Sequence, residues 1–328
     1  MPPGDAPALA VSVVHYRTVD PLMRCLEALE REREILTMSV TVTDNASGDG
    51  SAGAVAARFP WVRWRQNRTN VGFGRGHNGA LRAARARHLL VLNADAAPRP
   101  GALATLVAYL DDQPDVAIVG PRLRYPDGSP QPSRRRFPTP TTFFFESTQL
   151  QRFWPRSRPL DSFYLRDCSD DETQDVDWLV GACLCVNGRA AAEVGLFDER
   201  FFLYSEEMDW CRRFRALGWR IVYLPTAEVS HIEGASSRQD ILTRDITFQA
   251  SKLRYVAKWH GPRLAALLRG YLLAEYVARG CEECLKLALG SRVPERRARL
   301  RVIGGYLRHA FKPKPSVSAE WLSDRSSW

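Results

Sequence analysis

Residues 88–98, HLLVLNADAAP, join a short apolar run to a polar turn. The run from 88 to 92 predicts a buried strand, and Asn93, Ala94 and Asp95 follow where that strand ends. In an open α/β sheet, ligands bind beyond the carboxyl ends of the strands. Asp95 is therefore a candidate ligand for a hard cation such as Mg²⁺. The alternative is a carboxylate that only caps a turn.

Strands alternate with helices around this segment. The runs that predict strands lie at residues 9–14, 40–43, 62–66, 88–92 and 116–119. The segments that predict helices lie at residues 20–34, 52–59, 76–87 and 101–110. This alternation predicts an α/β fold, with a mostly parallel, Rossmann-like sheet flanked by helices and a ligand crevice at its carboxyl edge. Asp44 and Asp95 both fall at strand ends on that edge.

The alternation breaks down in residues 122–175, where prolines recur. These residues predict a loop with short elements. Residues 178–186, WLVGACLCV, then predict one further buried strand.

Residues 201–236 place three carboxylates at a predicted helix start and a lone histidine after a short strand. The carboxylates are Glu206, Glu207 and Asp209, and the histidine is His231. Acids in such a position can be catalytic, and a histidine can complete a metal site. The alternative is that a helix N-terminus is simply enriched in acids.

Helical spacing separates the two glutamates, because residues three and four apart share a face. Glu207 shares its face with an apolar stripe that should pack inward, made of Trp210, Cys211, Phe214 and Leu217. Glu206 falls with Asp209 and Arg213 on a more polar face. Glu207 is therefore predicted to point into the cleft, where partial burial would raise its pKa.

A glycine-rich segment at residues 74–79, GRGHNG, matches the G-x-G-x-x-G pattern of dinucleotide-binding loops. The pattern should follow the first strand of the fold, whereas this one follows the third. The next acid, Asp95, comes 16 residues after Gly79, closer than the pattern requires. These glycines are expected to allow close backbone approach. Arg75 could then reach a phosphate, or could be an ordinary surface charge.

The composition is that of a globular protein with a basic balance. The chain has 328 residues, a net charge of +9 and a pI of about 9.4, which suits anionic partners. The sequence contains no uncharged apolar run of about 18 residues, the length that would predict a transmembrane helix. The first residues lack the basic region of a signal peptide. The seven cysteines are therefore expected to be reduced thiols, and a cytoplasmic location is expected.

Several motifs together resemble one family. In order they are VSVVHYR, VTDNASGDGS, NRTNVGFGRGHNGAL, HLLVLNADAAP, VGACLCVNGRAAAEVGLFDERFFLYSEEMDWCRRFRALGWRIVYLP and AEVSHIEGAS. This order is similar to that of the family 2 glycosyltransferases, in the bacterial rhamnosyltransferase-like branch that builds surface polysaccharides. The resemblance covers roughly residues 8–260. It implies a GT-A fold, an inverting reaction, a nucleotide-sugar donor and a divalent metal, Mg²⁺ or Mn²⁺.

The resemblance also implies roles for single residues. Glu207 matches the catalytic base, with Glu206 and Asp209 as supporting acids. Asp95 and His231 match the metal ligands, although Asn93 replaces the first acid of the usual D-x-D pattern. The positions that match nucleotide-sugar contacts are His15, Arg17, Asp44, Asn70, Gly72, Arg75, Asn93 and Asp95.

The C-terminal segment lies beyond these motifs. The chain is predicted to divide into a catalytic domain at residues 1–260 and an amphipathic helical extension at residues 261–328. Leucines in residues 264–289 are spaced for a helix with an apolar face, and arginines follow in residues 292–308. Such helices can lie on an anionic membrane surface. Alternatively they pack on the catalytic domain or on a second subunit of a homo-oligomer.

The sequence therefore predicts an inverting glycosyltransferase that acts on a glycan or lipid-linked acceptor. Branch resemblance favours dTDP-rhamnose as the donor over other dTDP-, UDP- or GDP-sugars. The expected location is the cytoplasm, with possible contact at the inner face of the cytoplasmic membrane. Two alternatives remain open at this stage, an NAD-type dehydrogenase and a non-catalytic saccharide-binding module. Nucleic acid is not an expected partner, because only the basic balance supports it.

Overall fold

A ten-stranded mixed sheet forms the centre of the protein. The computed structural model describes residues 7–235, 240–290 and 292–311, so predictions that reach residues 1–6, 236–239 or 312–328 lie outside the described residues there. The strands are β1 (Leu9–His15), β2 (Met38–Asp44), β3 (Arg63–Gln66), β4 (His88–Asn93), β5 (Ala96–Pro98), β6 (Val116–Arg124), β7 (Pro130–Gln131), β8 (Arg134–Arg135), β9 (Gln174–Asp175), β10 (Trp178–Leu179), β11 (Cys183–Asn187) and β12 (Arg220–His231). Strands β8 and β10 form a separate two-stranded sheet.

Helices cover both faces of the main sheet. They are α1 (Val19–Glu32), α2 (Ser51–Arg58), α3 (Phe73–Leu81), α4 (Ala102–Asp112), α5 (Pro140–Phe145), α6 (Gln149–Phe153), α7 (Arg158–Phe163), α8 (Gly188–Val194), α9 (Glu206–Ala216), α10 (Ile241–His260), α11 (Pro262–Ala288) and α12 (Val293–Phe311). The strand order of the main path is β3-β2-β1-β4-β11-β6-β12-β5. Strands β1 to β4 pair in parallel, whereas β11 runs antiparallel to both of its neighbours.

Alternating apolar residues place the core on both faces of the sheet. On one face, Leu22 and Leu26 of α1 and Leu103 of α4 are fully buried. On the other face, Trp210 and Phe214 of α9 are fully buried. Each side chain of this size contributes about 1.5–3 kcal/mol when it leaves water. This packing confirms the predicted α/β architecture.

The parallel register brings the polar strand ends together. His15 at the end of β1 pairs with Asp44 at the end of β2. Val14 pairs with Asn93 at the end of β4. The predicted carboxyl edge is therefore present, and the segment 93–95 lies beside the residues that follow β1 and β2.

Three element predictions are wrong in detail. The apolar run 178–186 is not one strand, because β10 ends at Leu179 and the chain turns at Gly181 and Ala182 before it enters β11. The helix predicted at residues 76–87 spans Phe73–Leu81, so the glycines of the G-x-G-x-x-G match lie inside a helix. The strand before His231 has 12 residues and is not short.

Three C-terminal helices follow the sheet. Helix α10 packs through Tyr255 and Val256 against Phe201 and Met208, and α11 joins the same cluster through Leu268 and Leu272. Gly261, at φ 91°, separates α10 from α11 at the predicted domain boundary. Across residues 7–235, 240–290 and 292–311, no helix is both long enough and apolar enough to span a bilayer.

Candidate active site

A cleft of about 950 Å³ opens at the carboxyl edge of the sheet. The predicted site residues among its lining are Arg17, Asn70, Gly72, Asn93, Asp95, Glu206, Glu207 and His231. Residues from α10 and α11 complete its wall, among them Phe248, Gln249 and Tyr276. The structure therefore brings the acids, the histidine and the glycine-rich loop into one space.

The Asp95–His231 pair lies where β5 and β12 meet. Because His231 pairs with Ala96 in the sheet, Asp95 lies directly beside it. The distance from Asp95 Oδ1 to His231 Nε2 is 3.2 Å, and Asn93 Nδ2 lies 3.1 Å from the same nitrogen. Burial alone would raise the pKa of Asp95, but the hydrogen bond and charge of His231 outweigh it and hold that pKa below its ordinary value.

Gln131 fixes the orientation of the His231 ring. Its Oε1 lies 2.9 Å from His231 Nδ1, and its Nε2 donates to Glu233 Oε2 at 3.2 Å. This contact engages Nδ1, so that Nε2 is the nitrogen that faces Asp95. Without its proton, Nε2 is a metal ligand of the usual kind for histidine. Sequence reasoning missed Gln131, which lies in the irregular region and 100 residues from its partner.

The donor set at this point suits a divalent cation. A carboxylate oxygen of Asp95 and an imidazole nitrogen of His231 lie 3.2 Å apart, and the Asn93 amide, which presents its Nδ2 to the same imidazole nitrogen, would bind a cation only through its oxygen. Manganese and magnesium accept such oxygen and nitrogen ligands and complete their shells with phosphate oxygens. Among the residues that the structure describes, no group of three His, Cys, Asp or Glu side chains forms a metal cluster. A cation held here would therefore depend on ligands from a bound substrate.

Glu206 and Glu207 begin helix α9 and both line the cleft. One oxygen of each carboxylate, Oε2, is buried without a hydrogen-bond partner. Burial, followed by the charge of Glu207, raises the pKa of Glu206 well above its ordinary value. Burial also raises the pKa of Glu207, although backbone N–H groups, that of Gly181 among them, oppose the shift. A carboxylate with a raised pKa is suited to take a proton from a hydroxyl group.

The predicted polar face of α9 is wrong. Glu206 is only 2% exposed and Asp209 is fully buried. The opposite error concerns Leu217, which is 56% exposed although it was assigned to the inward stripe. The spacing of α9 alone could not show this, because Asp209 is enclosed by Trp259 and Lys258 of α10.

Asp209 holds the helices together and does not line the cleft. Lys258 Nζ lies 2.6 Å from its Oδ1, and Arg213 Nε lies 3.1 Å from its Oδ2. Trp259 Nε1 donates to Oδ1 at 2.8 Å. These contacts give Asp209 a structural role at the junction of α9 and α10.

Two residues before α9 have a backbone that side chains rarely adopt. Tyr204 has φ 70° and Ser205 has φ 66°, both in the left-handed region. Residues held in this region commonly cluster at functional sites. Helix α10 holds the segment in place, because Ser251 Oγ donates to Leu203 O at 2.7 Å and Phe248 packs on the Tyr204 ring at 5.5 Å.

On the opposite side of the cleft, the loop after β2 contacts the loop before α3, which in turn contacts the segment before α9. Asn45 Nδ2 donates to Gly72 O at 3.0 Å, and Phe73 N donates to Phe202 O at 2.8 Å. Gly72 has φ 87°, and a Cβ there would lie 2.2 Å from Phe202 O. Only glycine both adopts this φ readily and lacks a Cβ that would clash with Phe202 O. Gly72 therefore allows the two sides of the cleft to approach this closely.

Three predicted nucleotide contacts lie away from the cleft surface. His15 is fully buried and contacts Thr18 Oγ1 and Asp49 Oδ2, each at 3.1 Å. Asp44 is buried and accepts hydrogen bonds from Ser47 and from Gln66 Nε2, the latter at 2.7 Å. Their assignment to the nucleotide stays a prediction.

Arg75 is the third of these residues. Its Nε lies 3.5 Å from Glu199 Oε2, and its side chain is 61% exposed. The neighbouring Gly74 and Gly76 lie close to Phe197 and Val14, so they serve helix packing at this point. The segment is thus built as a packed helix and not as a phosphate loop.

Comparison with known proteins decides the family. The model for "Glycosyltransferase like family 2" matches residues 6–245. The chain belongs to this family. An N-acetylglucosaminyl-diphospho-decaprenol L-rhamnosyltransferase of Mycobacterium tuberculosis is 32% identical over 272 residues, which cover 80% of this chain and 88% of that protein. The rhamnosyltransferase WbbL of Escherichia coli is 29% identical over a shorter stretch, 25% of this chain and 31% of that protein.

Solved structures confirm the GT-A fold of this glycosyltransferase. The mannosyltransferase PcManGT of Pyrobaculum calidifontis, in complex with GDP-Man and Mn²⁺, has a TM-score of 0.53 at 17% identity, with 94% of this chain and 87% of that chain covered. GalNAc-T7 with UDP, GalNAc and Mn²⁺ has a TM-score of 0.56 at 14% identity. There the match covers 78% of this chain and 48% of the other. The family assignment favours a transferase over the dehydrogenase alternative.

Proposed function

We propose that the protein transfers a rhamnosyl residue from dTDP-rhamnose to a hydroxyl group of a lipid-linked N-acetylglucosaminyl diphosphate, with inversion at the anomeric carbon, in the synthesis of a surface polysaccharide. The family assignment supports the transfer of a sugar from a nucleotide donor. The mycobacterial relative, named for an L-rhamnosyl donor and an N-acetylglucosaminyl-diphospho-decaprenol acceptor, supports the two substrates.

One observation carries the proposal. Buried carboxylates with raised pKa values and the Asp95–His231 pair line the same cleft. An inverting transfer needs a base for the acceptor and a positive charge for the leaving diphosphate, and a cation held by Asp95 and His231 would supply that charge. The cleft volume of about 950 Å³ lies within the range of ordinary substrate sites.

Glu207 is the proposed base, with Glu206 beside it as a supporting acid. The acceptor hydroxyl gives its proton to the Glu207 carboxylate while its oxygen bonds to the anomeric carbon of the donor. The bond from that carbon to the diphosphate oxygen breaks, and the electron pair leaves with the diphosphate. One displacement inverts the carbon. Burial and the charge of Glu207 raise the pKa of Glu206, and two adjacent buried carboxyl groups disfavour the state in which both are ionised.

The proposed cofactor is Mg²⁺ or Mn²⁺, held by Asp95 and His231 with Asn93 close by. When bound, such a cation stabilises the negative charge of the departing diphosphate. Asp95 is oriented for this by the backbone N–H of Ala235, which donates to Oδ2 at 3.2 Å. His231 is oriented by Gln131.

Substitution of Asp95 tests the metal assignment. Asp95→Asn should lower Mn²⁺ affinity by about 10- to 100-fold, as loss of a metal ligand or its support does, and should strongly reduce transfer. The measurement is Mn²⁺ titration by calorimetry in the presence of dTDP, followed by transfer assays with and without EDTA. Full activity of the variant in EDTA contradicts the assignment.

A donor screen tests the function itself. Thermal stabilisation and sugar release are measured with dTDP-rhamnose and with matched UDP- and GDP-sugars. The proposal expects dTDP-rhamnose to give the largest shift and the fastest turnover. A clear preference for a UDP- or GDP-sugar in competition contradicts the donor assignment but not the transferase activity.

The C-terminal helices are proposed to contact an anionic membrane, where a lipid-linked acceptor resides. Helix α11 leaves apolar side chains exposed, namely Leu267, Val277, Leu285 and Leu289. Arg297, Arg301 and Arg308 of α12 line a groove of about 600 Å³, and no ion pair joins them to an acid in the described part of the chain. Exposed apolar side chains and unpaired arginines on neighbouring helices are features of helices that bind anionic bilayers.

Liposome flotation tests this contact. Binding should require anionic lipid and weaken in high salt, because surface charges are screened. Replacing Arg297, Arg301 and Arg308 together by Ser should release the protein, whereas the same change at Arg31, Arg33 and Arg85 should not. Negligible binding of the natural protein in all conditions contradicts the membrane proposal.

A further inference from the structure

The position of the base determines where the acceptor lies. The acceptor hydroxyl must come within hydrogen-bond distance of the Glu207 carboxylate to give up its proton. Glu207 begins α9, and the segment that precedes it, residues 201–205, is held by α10. The wall beside this segment is formed by α10 and α11, which supply Phe248, Gln249 and Tyr276. A sugar that reaches Glu207 therefore passes along this wall.

Gln249 has an unmet hydrogen-bonding group in that wall. Its side chain is only 5% exposed, and its Oε1 is buried without a donor. Its side chain also lies against that of Tyr276, which lines the same cleft. A buried carbonyl oxygen without a partner is unfavourable unless a ligand or a water supplies a donor.

The C-terminal helices hold Gln249 in this orientation. Tyr276 of α11 is 4% exposed and stacks on Tyr306 of α12, with ring centroids 3.8 Å apart and planes 17° apart. The amide of Gln249 is thus fixed at one end by a stacked pair of rings. A side chain fixed in this way is pre-organised to bind a ligand at its free end.

Aromatic rings beside Gln249 suit a sugar. Phe248 and Tyr204 line the same cleft and pack at 74° to each other. Apolar ring faces next to a single oriented polar group are the usual composition of a pocket for a small polar ligand.

From these contacts we infer that α10 and α11 form the acceptor-sugar subsite, in which Gln249 Oε1 accepts a hydrogen bond from a hydroxyl or amide N–H of the acceptor. The inference rests on the proposed function, because that function places a sugar acceptor at Glu207. It adds a specificity role for a helical region most of which lies beyond the family match at residues 6–245.

The test compares two Gln→Leu variants of the full-length protein. Gln249→Leu removes the oxygen from the wall, and Gln113→Leu makes the same change at the end of α4, outside the cleft. The probe is N-acetylglucosaminyl diphosphate linked to a short isoprenoid. Acceptor KM, donor KM and donor hydrolysis without acceptor are measured for each protein.

Loss of one neutral hydrogen bond should raise acceptor KM by about three- to tenfold in Gln249→Leu. Donor KM and donor hydrolysis should stay within about twofold of the natural protein, and Gln113→Leu should change none of them. An unchanged acceptor KM, or an equal rise in donor KM, overturns the inference. If Gln249→Leu does not fold, Gln249→Asn withdraws the amide by one carbon and carries the same expectation.

Failure of the proposed function has a different signature. It appears as absence of donor turnover in the natural protein. Calorimetric binding of the acceptor probe, without donor, still compares the natural protein with both variants. Weaker binding by Gln249→Leu alone supports the subsite, and equal binding overturns it.

Discussion

The buried polar groups on the two sides of the cleft differ in their hydrogen-bond partners. On the side of β1 and β2, Asp44 accepts from Ser47 and Gln66, and His15 contacts Thr18 and Asp49. On the side of α9 and α10, oxygens of Glu206, Glu207 and Gln249 have no partner. Asp44 and His15 therefore find their partners within the protein, whereas the three oxygens on the second side are free to accept a hydrogen bond from a ligand. Substitutions should therefore affect mainly stability on the first side and mainly turnover on the second.

Glu207→Gln should give the largest effect. Transfer should fall by about 100-fold or more, because the base is lost, while donor binding stays close to that of the natural protein. The measurements are single-turnover transfer and donor titration. If Glu206→Gln loses transfer activity and Glu207→Gln keeps it, the base has been assigned to the wrong acid.

The pH profile provides a second measurement on the same residue. Burial raises the pKa of Glu207 above its ordinary value of 4.5, and the base must be deprotonated to act. The rate constant for transfer should therefore rise with pH through a limb displaced above pH 4.5. In Glu207→Gln this limb should disappear from the residual activity. A limb that survives unchanged belongs to another group.

Asp209→Asn should act on stability. The change leaves Lys258 and Arg213 without their shared carboxylate, which should lower the free energy of unfolding by about 3 kcal/mol. Chemical denaturation measures the loss, and transfer per folded molecule at low temperature should stay within about threefold. Loss of transfer greater than that of Glu207→Gln, in a stable protein, contradicts the structural role of Asp209.

Asp44→Asn tests the side of the cleft at β1 and β2. The buried carboxylate accepts from Ser47 and Gln66, and an amide offers only one accepting oxygen. The free energy of unfolding should fall by about 2 kcal/mol. Any rise in donor KM should result from disturbance of this loop and accompany the loss of stability. A rise of about 100-fold with unchanged stability would show a direct contact with the nucleotide.

Ser251→Ala should give the smallest change. It removes the hydrogen bond to Leu203 O that holds the segment before α9. We expect a loss of about 1 kcal/mol in stability and a fall of a few-fold in kcat without a change in donor KM. An unchanged kcat indicates that the Phe248–Tyr204 contact alone positions the segment.

The sequence predicts those parts of the site that depend on short segments. Apolar runs that end in polar residues located Asp95 and Asp44 at strand ends, and the parallel register of β1, β2 and β4 confirms the shared edge. The helix predicted at residues 20–34 corresponds to α1, in which Leu22 and Leu26 are buried. In these cases the residues that form the sequence pattern are the same residues that pair or pack in the fold.

The parts that were missed depend on contacts between distant segments. Gln131 meets His231 across 100 residues, and Gln249 of α10 lies against Tyr276 of α11. Glu206 is buried where α9 approaches α3, since a Cβ built at Gly74 would lie 3.8 Å from the Glu206 Cβ, whereas a helical wheel of α9 suggests solvent there. Such enclosure depends on neighbouring elements, which no single segment encodes.

Gly72 restricts how this chain can vary. Its φ of 87° and the distance of 2.2 Å from a built Cβ to Phe202 O leave no other amino acid a place there. In a library with all codons at position 72, selected for transfer, glycine alone should survive. The neighbouring Gly53 has open space around it and a backbone that other residues tolerate, so many amino acids should pass the same selection there. Tolerance to mutation thus follows the contact between the two sides of the cleft and not the presence of glycine as such.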